Sequence, residues 1–245
     1  MKNTQRPTPT TGTARRSVLR AALAGTAATA GVALTAPAAH AAPPAHATRR
    51  RPATADEALA ELAAGNRRWR NFRQQHPDET RAIRSELISG QHPFAVVLGC
   101  IDSRVPPELV FDQGLGDLMT VRSAGEVLDE AVLGSISYGV LELGIPLVLV
   151  LGHQSCGAVA AAVEAEETGK ELPAHIQYLA DQIKPAIDHS QEGTARVDAT
   201  VTANVAQVRD RLAAEPDLAA RVAEGKLAIV GARYELATQL VHRTS

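Results

Sequence analysis

The sequence predicts an α/β domain, a mostly parallel β-sheet with helices on both faces and extended helices at its N-terminal end. Three observations carry that expectation. Four short apolar runs, FAVVLG (94–99), LMTV (118–121), LVLVLG (147–152) and LAIVGA (227–232), lack the in–out alternation of a half-exposed strand. Three of these runs are rich in β-branched residues and reach a glycine. Stretches of helical period separate the runs, over 127–143, 157–168, 173–188 and 197–214, as crossovers between parallel strands require.

Ahead of the sheet the chain changes character twice. Its 245 residues are 45% hydrophobic, enough for one domain with a full core. The formal charge of −2 is unevenly spread: residues 1–41 hold Lys2, Arg6, Arg15, Arg16 and Arg20 and no acid, so the remainder carries −7. An acidic domain argues against nucleic acid as a partner, because phosphate binding calls for a basic face. Residues 1–41 read as a twin-arginine export signal. Arg15 and Arg16 precede an alanine-rich run that ends in Ala39-His40-Ala41, an A-x-A cleavage pattern. Gly, Thr and Pro interrupt the run, so no stable membrane span is expected, and the mature protein is expected to be exported and soluble. Residues 42–53, rich in Pro and Arg, read as a flexible linker, which leaves 54–245 as a single domain.

Thr54 and Glu57 form a T-x-x-E capping box ahead of a helix expected to run to about Gly65. A second helical piece carries Trp69 and Phe72 on one face. The strand runs then deliver chemistry. Cys100 follows the first run and His153 the third, and Cys156 lies at the first turn of the helix that begins at Gly157. In parallel sheets ligands bind beyond the carboxyl ends of the strands, so three metal-ligand side chains arrive at one rim. Thiolate and imidazole are preferred zinc ligands, and a catalytic zinc keeps three protein ligands with one position open. A helix N-terminus also helps Cys156 to ionise.

A Cys100–Cys156 disulfide is the competing reading for an exported chain with two cysteines. It accounts for neither His153 nor the pair Asp102 and Arg104. Asp102 lies two residues beyond Cys100, near any metal there, and Arg104 can hold its carboxylate by a charge-assisted bond. So held, Asp102 can take a proton from water; released, it can become a fourth metal ligand in a closed state. Other features have plainer readings. DQGLGD (112–117) lacks the lysine and following helix of a P-loop and reads as a turn. Arg49 to Arg51 read as solvated linker, Glu164, Glu166 and Glu167 as an exposed helix face, and His76, His92, His175, His189 and His242 as surface residues.

GCIDSRVPPELVFDQGLGDLMTVRSAG followed by VLGHQSCGAV closely resembles the β-class carbonic anhydrases, whose zinc site is carried by C-x-D-x-R and H-x-x-C. The similarity runs from Leu62-Ala63-Ala64-Gly65-Asn66 to Val230-Gly231-Ala232-Arg233-Tyr234. It implies reversible hydration of CO2 to bicarbonate and a proton through zinc-bound hydroxide, with a single Zn2+ per chain held by Cys100, His153 and Cys156 and with Asp102 and Arg104 as the catalytic dyad. It also implies substrate-binding roles for Gln91, Met119, Ala124, Tyr138 and Gly157, with Tyr138 contributed across a dimer interface. Met119 stands where many members have phenylalanine, Ile101 replaces a small residue, and Glu126 replaces a common asparagine. A homodimer or homotetramer is expected. Hydrolysis of CS2 or COS on the same zinc site is the alternative enzyme reading, and an exported binding protein with a structural zinc is the alternative outside enzymology.

Overall fold

The computed structural model describes residues 50–244; residues 1–41, expected to be an export signal, and residues 42–49 of the expected linker lie outside the described residues. Helix α1 (Ala55–Arg70) opens the fold, with the Thr54 hydroxyl accepting from the Glu57 amide as the capping box requires. A short helix α2 (Arg81–Glu86) leads into strand β1 (Ala95–Gly99). After helix α3 (Pro107–Val110) come strand β2 (Leu118–Arg122), a 3-10 turn (Ala124–Glu126) and helix α4 (Glu130–Leu141). Strand β3 (Leu147–His153) is followed by α5 (Gly157–Thr168), α6 (Ala174–Ile183) with a 3-10 extension (Lys184–Ala186), α7 (Gly193–Ala214) and α8 (Pro216–Ala223). Strands β4 (Ala228–Tyr234) and β5 (Val241–Arg243) complete the sheet.

The sheet order is β2-β1-β3-β4-β5, parallel throughout except for β5, which runs antiparallel to β4. Both faces of the central strands β1 and β3 are buried, which is why those runs are apolar without alternation, whereas the edge strand β2 is only half-buried. Ala95, Val97, Leu147, Leu149 and Leu151 face one way, onto Ala58 and Leu62 of α1 and Val110 of α3. Val96, Leu98, Val148 and Val150 face the other way, onto Ile136 and Val140 of α4 and Val205, Val208 and Leu212 of α7. Cys100 and Cys156 belong to a third cluster with Val159, Val163 and Ile183, at the end of the sheet where β1 and β3 finish.

The structure corrects the sequence reading at several points. Helix α1 does not stop at Gly65, because that glycine serves contact and not termination: a Cβ there would sit 1.6 Å from the Phe111 carbonyl oxygen. Trp69 therefore lies in α1, while Phe72 lies beyond its end at φ 52 and 79% exposed, so the two share no helical face. His153 is the last residue of β3, one position inside the strand. Helix α4 starts at Glu130 and not at 127, because Val127 is extended and the Asp129 carboxylate caps the helix by accepting from the Val132 amide. Helix α7 begins at Gly193, ahead of 197. The domain also reaches back past Thr54, since Arg51 donates to the His92 and Gly116 carbonyls and Arg50 pairs with Glu57.

Candidate metal centre

β1 and β3 are parallel neighbours with Gly99 opposite Leu151, so Cys100 and His153 emerge together at their carboxyl ends. Ser155, at φ 54, turns the chain so that Cys156 becomes the N-cap of α5 and faces back across the rim. The ligand atoms of Cys100, His153 and Cys156 all lie within 4.8 Å of one another, and all three residues are buried. The two sulfurs are 3.9 Å apart and both cysteines are free, which is thiol spacing and not a disulfide. Two sulfurs on one tetrahedral zinc would stand about 3.8 Å apart, given Zn–S bonds of about 2.3 Å.

The donor set fits a metal in a second way. His153 is wholly buried; its Nδ1 meets the Gln154 carbonyl oxygen at 2.9 Å, which leaves Nε2 as the acceptor nitrogen. That Nε2 has no hydrogen-bond partner in the protein, an expensive arrangement for a buried polar atom unless a ligand meets it. The sulfurs are prepared as well. The contact with Cys156 and the Gly125 N–H, which donates to Cys100 Sγ, bring the Cys100 thiol down to about 4, against the burial that raises it. Cys156, beside Cys100 and buried, is pushed up, so the two sulfurs titrate as a pair.

Asp102 and Arg104 form the fork that the sequence suggests. Arg104 Nε donates to Asp102 Oδ1 at 2.9 Å and Nη2 to Oδ2 at 2.7 Å, and the Arg104 backbone amide also donates to Oδ1. The bond from Arg104 holds the Asp102 carboxyl at about 2, so it is a carboxylate at neutral pH. Asp102 Oδ2 lies 3.9 Å from His153 Nε2, which puts it beside the ligand cluster. Arg104 also donates to the Ser155 carbonyl, tying the two ligand-bearing segments together.

The remaining expected residues divide. Ala124 opens the turn that brings Gly125 to Cys100, and Gly157 opens α5 next to Cys156, with no atom within 4 Å of where its Cβ would be. Gln91 lines a different hollow, with Leu87, Ile88 and Leu115. Met119 and Tyr138 line a third, which shares Arg122 with the rim. Sequence reasoning missed Arg122 itself. Its Nε donates to the Cys100 carbonyl at 2.8 Å and its Nη2 to the Asp102 carbonyl at 2.6 Å, so it pins the loop that carries both ligand and carboxylate. It also passed over Glu126 as a buried group: burial and the nearby Cys100 push its carboxyl well above the usual range, and Oε1 has no partner.

Comparison with known proteins agrees with this architecture. The family model described as carbonic anhydrase matches residues 95–241. Carbonic anhydrase 2 of Mycobacterium tuberculosis is 43% identical over 187 residues, which span 76% of this chain and 89% of that protein. The carbonic anhydrase of Mycolicibacterium smegmatis is 42% identical over 191 residues, spanning 76% of this chain and 90% of that protein. Among solved structures, the Coccomyxa β-carbonic anhydrase in complex with acetazolamide superposes with a TM-score of 0.61 at 26% identity, covering 76% of this chain and 85% of that one. From its rim geometry, its sheet and these likenesses, the chain belongs to the β-carbonic anhydrase family.

Proposed function

We propose that this enzyme is a zinc-dependent carbonic anhydrase that interconverts CO2 and water with bicarbonate and a proton, with one zinc per chain on Cys100, His153 and Cys156. The observation that carries the reading is the buried, unpartnered His153 Nε2 facing two free sulfurs. When bound, zinc supplies a Lewis acid that brings the pKa of water toward neutrality, less far than with three histidines because two thiolates cancel the ion's charge.

The chain's own residues do the rest. Asp102 stays ionised beside the ligand cluster and accepts the proton that water gives up. Arg104 holds that carboxylate off the ligand position and aims it, and Arg122 fixes the loop beneath both. Ala124 and Gly157 leave room for a small linear substrate at the rim. We assign Gln91, Met119 and Tyr138 to the substrate pocket of a homodimer or homotetramer, in which a second copy brings their hollows to the rim. Half-exposed Tyr138 supports that assignment. Residues 1–41 are proposed as a twin-arginine export signal, tested by replacing Arg15 and Arg16 with lysine and following the location of the protein.

The deciding experiment is stopped-flow CO2 hydration across about pH 6.5 to 9, with bound zinc quantified alongside. Activity that rises with pH at one zinc per chain supports the reading. Zinc without hydration at any pH overturns it; turnover of CS2 or COS would then identify the sulfur-substrate enzyme, and no turnover a structural zinc with Asp102 as its fourth ligand.

A further inference from the structure

We infer that Asn204, on α7, is a positioning residue for the metal centre, holding the 124–126 turn so that the Gly125 N–H donates to Cys100 Sγ. The inference deepens the zinc reading and rests on it. Cys156 is the N-cap of α5, so its sulfur sits at the positive end of a helix, though it makes no side-chain cap bond there. Cys100 ends a strand and has no helix of its own. Its donor is borrowed from elsewhere in the chain: the Gly125 N–H, in the turn that follows β2, donates to Cys100 Sγ with N···S 3.4 Å.

That turn is costly to build. Gly125 sits at φ 64 and Glu126, which is not glycine, at φ 54, so two successive residues are left-handed. Such a turn persists only where its surroundings hold it. A Cβ on Gly125 would lie 2.7 Å from Ile183 Cδ1, so the backbone is seated tightly against α6. Ser123 Oγ donates to the Val127 carbonyl and the Glu126 amide to the Ser123 carbonyl, closing the turn on itself. Besides the Cys100 sulfur, Asn204 supplies the one side-chain bond to the backbone of residues 124–126 among the described residues. Its Nδ2 donates to the Gly125 carbonyl at 2.8 Å. Asn204 is itself 1% exposed.

An N–H···S bond draws charge from a thiolate and fixes its direction, which tunes how strongly that sulfur donates to a metal. Asn204 touches neither metal ligand nor substrate, so its effect passes through the Gly125 peptide.

The test uses cobalt(II) as a visible probe in the purified protein, comparing the parent with Asn204→Leu and with Asn204→Ser. Expected are a sulfur-to-cobalt charge-transfer band moved to lower energy and zinc affinity reduced about 10- to 100-fold, with the circular dichroism of the fold unchanged. An unchanged band and affinity in a folded variant overturn the inference. Cobalt that fails to bind the parent overturns the zinc reading as well, which separates the two failures. Should both variants fail to fold, the unaltered protein loaded with NMR-active cadmium decides: coupling from cadmium to the Gly125 amide proton across the sulfur supports the inference, and its absence there overturns it.

Discussion

Two aspartate–arginine pairs, built from the same groups, do opposite work in this molecule. Asp112, just past α3, is 4% exposed and takes bonds from Arg68 of α1 and from the backbone amides of Gln75 and His76. It ties three segments together, and Arg68 is further held by Glu61 and the Asp112 carbonyl. Asp102, past β1, is held by Arg104 from its own loop, and that guanidinium is 53% exposed. Burial is the difference that matters. Breaking the Asp112 pair strands a buried charge, whereas the Asp102–Arg104 pair, with its guanidinium in solvent, can open without threatening the fold. The fold places a locked pair where segments must be riveted and a releasable one where the proposed reaction needs a proton acceptor.

The comparison can be broken at either pair. Asp102→Asn is expected to have the largest effect, lowering the CO2 hydration rate by about 10²- to 10⁴-fold, the contribution typical of a general acid–base group. Zinc content and melting temperature are expected to stay near the parent's. A variant that melts early would show that Asp102, too, is a rivet.

Asp112→Asn inverts the pattern. Chemical denaturation should show a loss of about 2 to 3 kcal/mol, the low end for breaking a buried pair because Arg68 is partly exposed, with hydration per folded molecule unchanged. Its pH dependence has a definite sign. Burial works to raise the Asp112 carboxyl, but the Arg68 bond and the Gln75 and His76 amides outweigh it and hold it below the ordinary value. The stabilisation is therefore present above the ordinary aspartate value of about 4 and is lost as pH falls through the depressed one. Denaturation at successively lower pH should show the parent losing its advantage over Asp112→Asn below about pH 4; a constant gap would contradict the ion pair.

Arg104→Lys sharpens the contrast at smaller scale. A lysine cannot fork across both carboxylate oxygens, so a roughly tenfold fall in hydration with unchanged stability is expected from kinetics and melting run side by side. Tyr138→Ala, with Tyr138 52% exposed, should leave the monomer's stability within about 0.5 kcal/mol of the parent's. Its effect on KM, read from the same kinetics, reports whether a neighbouring copy completes the pocket.

How much of this was legible in the sequence follows from how far each contact reaches along the chain. β1 and β3 were readable because a strand buried on both faces needs no partner to explain its composition, and α5 was readable to its end at Thr168. Strand β5 was not: Val-His-Arg is short, half polar and paired only at the sheet's edge. Gly65 looked like a helix stop because the sequence does not reveal that Phe111 packs against it. At the site, Cys100, His153 and Cys156 were readable from strand ends and helix start alone. Arg122 and Asn204 were not, because each reaches the Cys100 loop or its supporting turn through backbone carbonyls, a role that leaves no residue pattern. Gly125 was quoted within a motif, but nothing in the motif says that its amide points at a sulfur.

The most direct test of the metal centre is zinc K-edge X-ray absorption on the purified, zinc-loaded protein. Cys100, His153 and Cys156 predict two sulfurs at about 2.3 Å and nitrogen or oxygen neighbours at about 2.0 to 2.1 Å. A shell with no sulfur, together with thiol titration showing Cys100 and Cys156 oxidised to each other, would contradict the account at its centre.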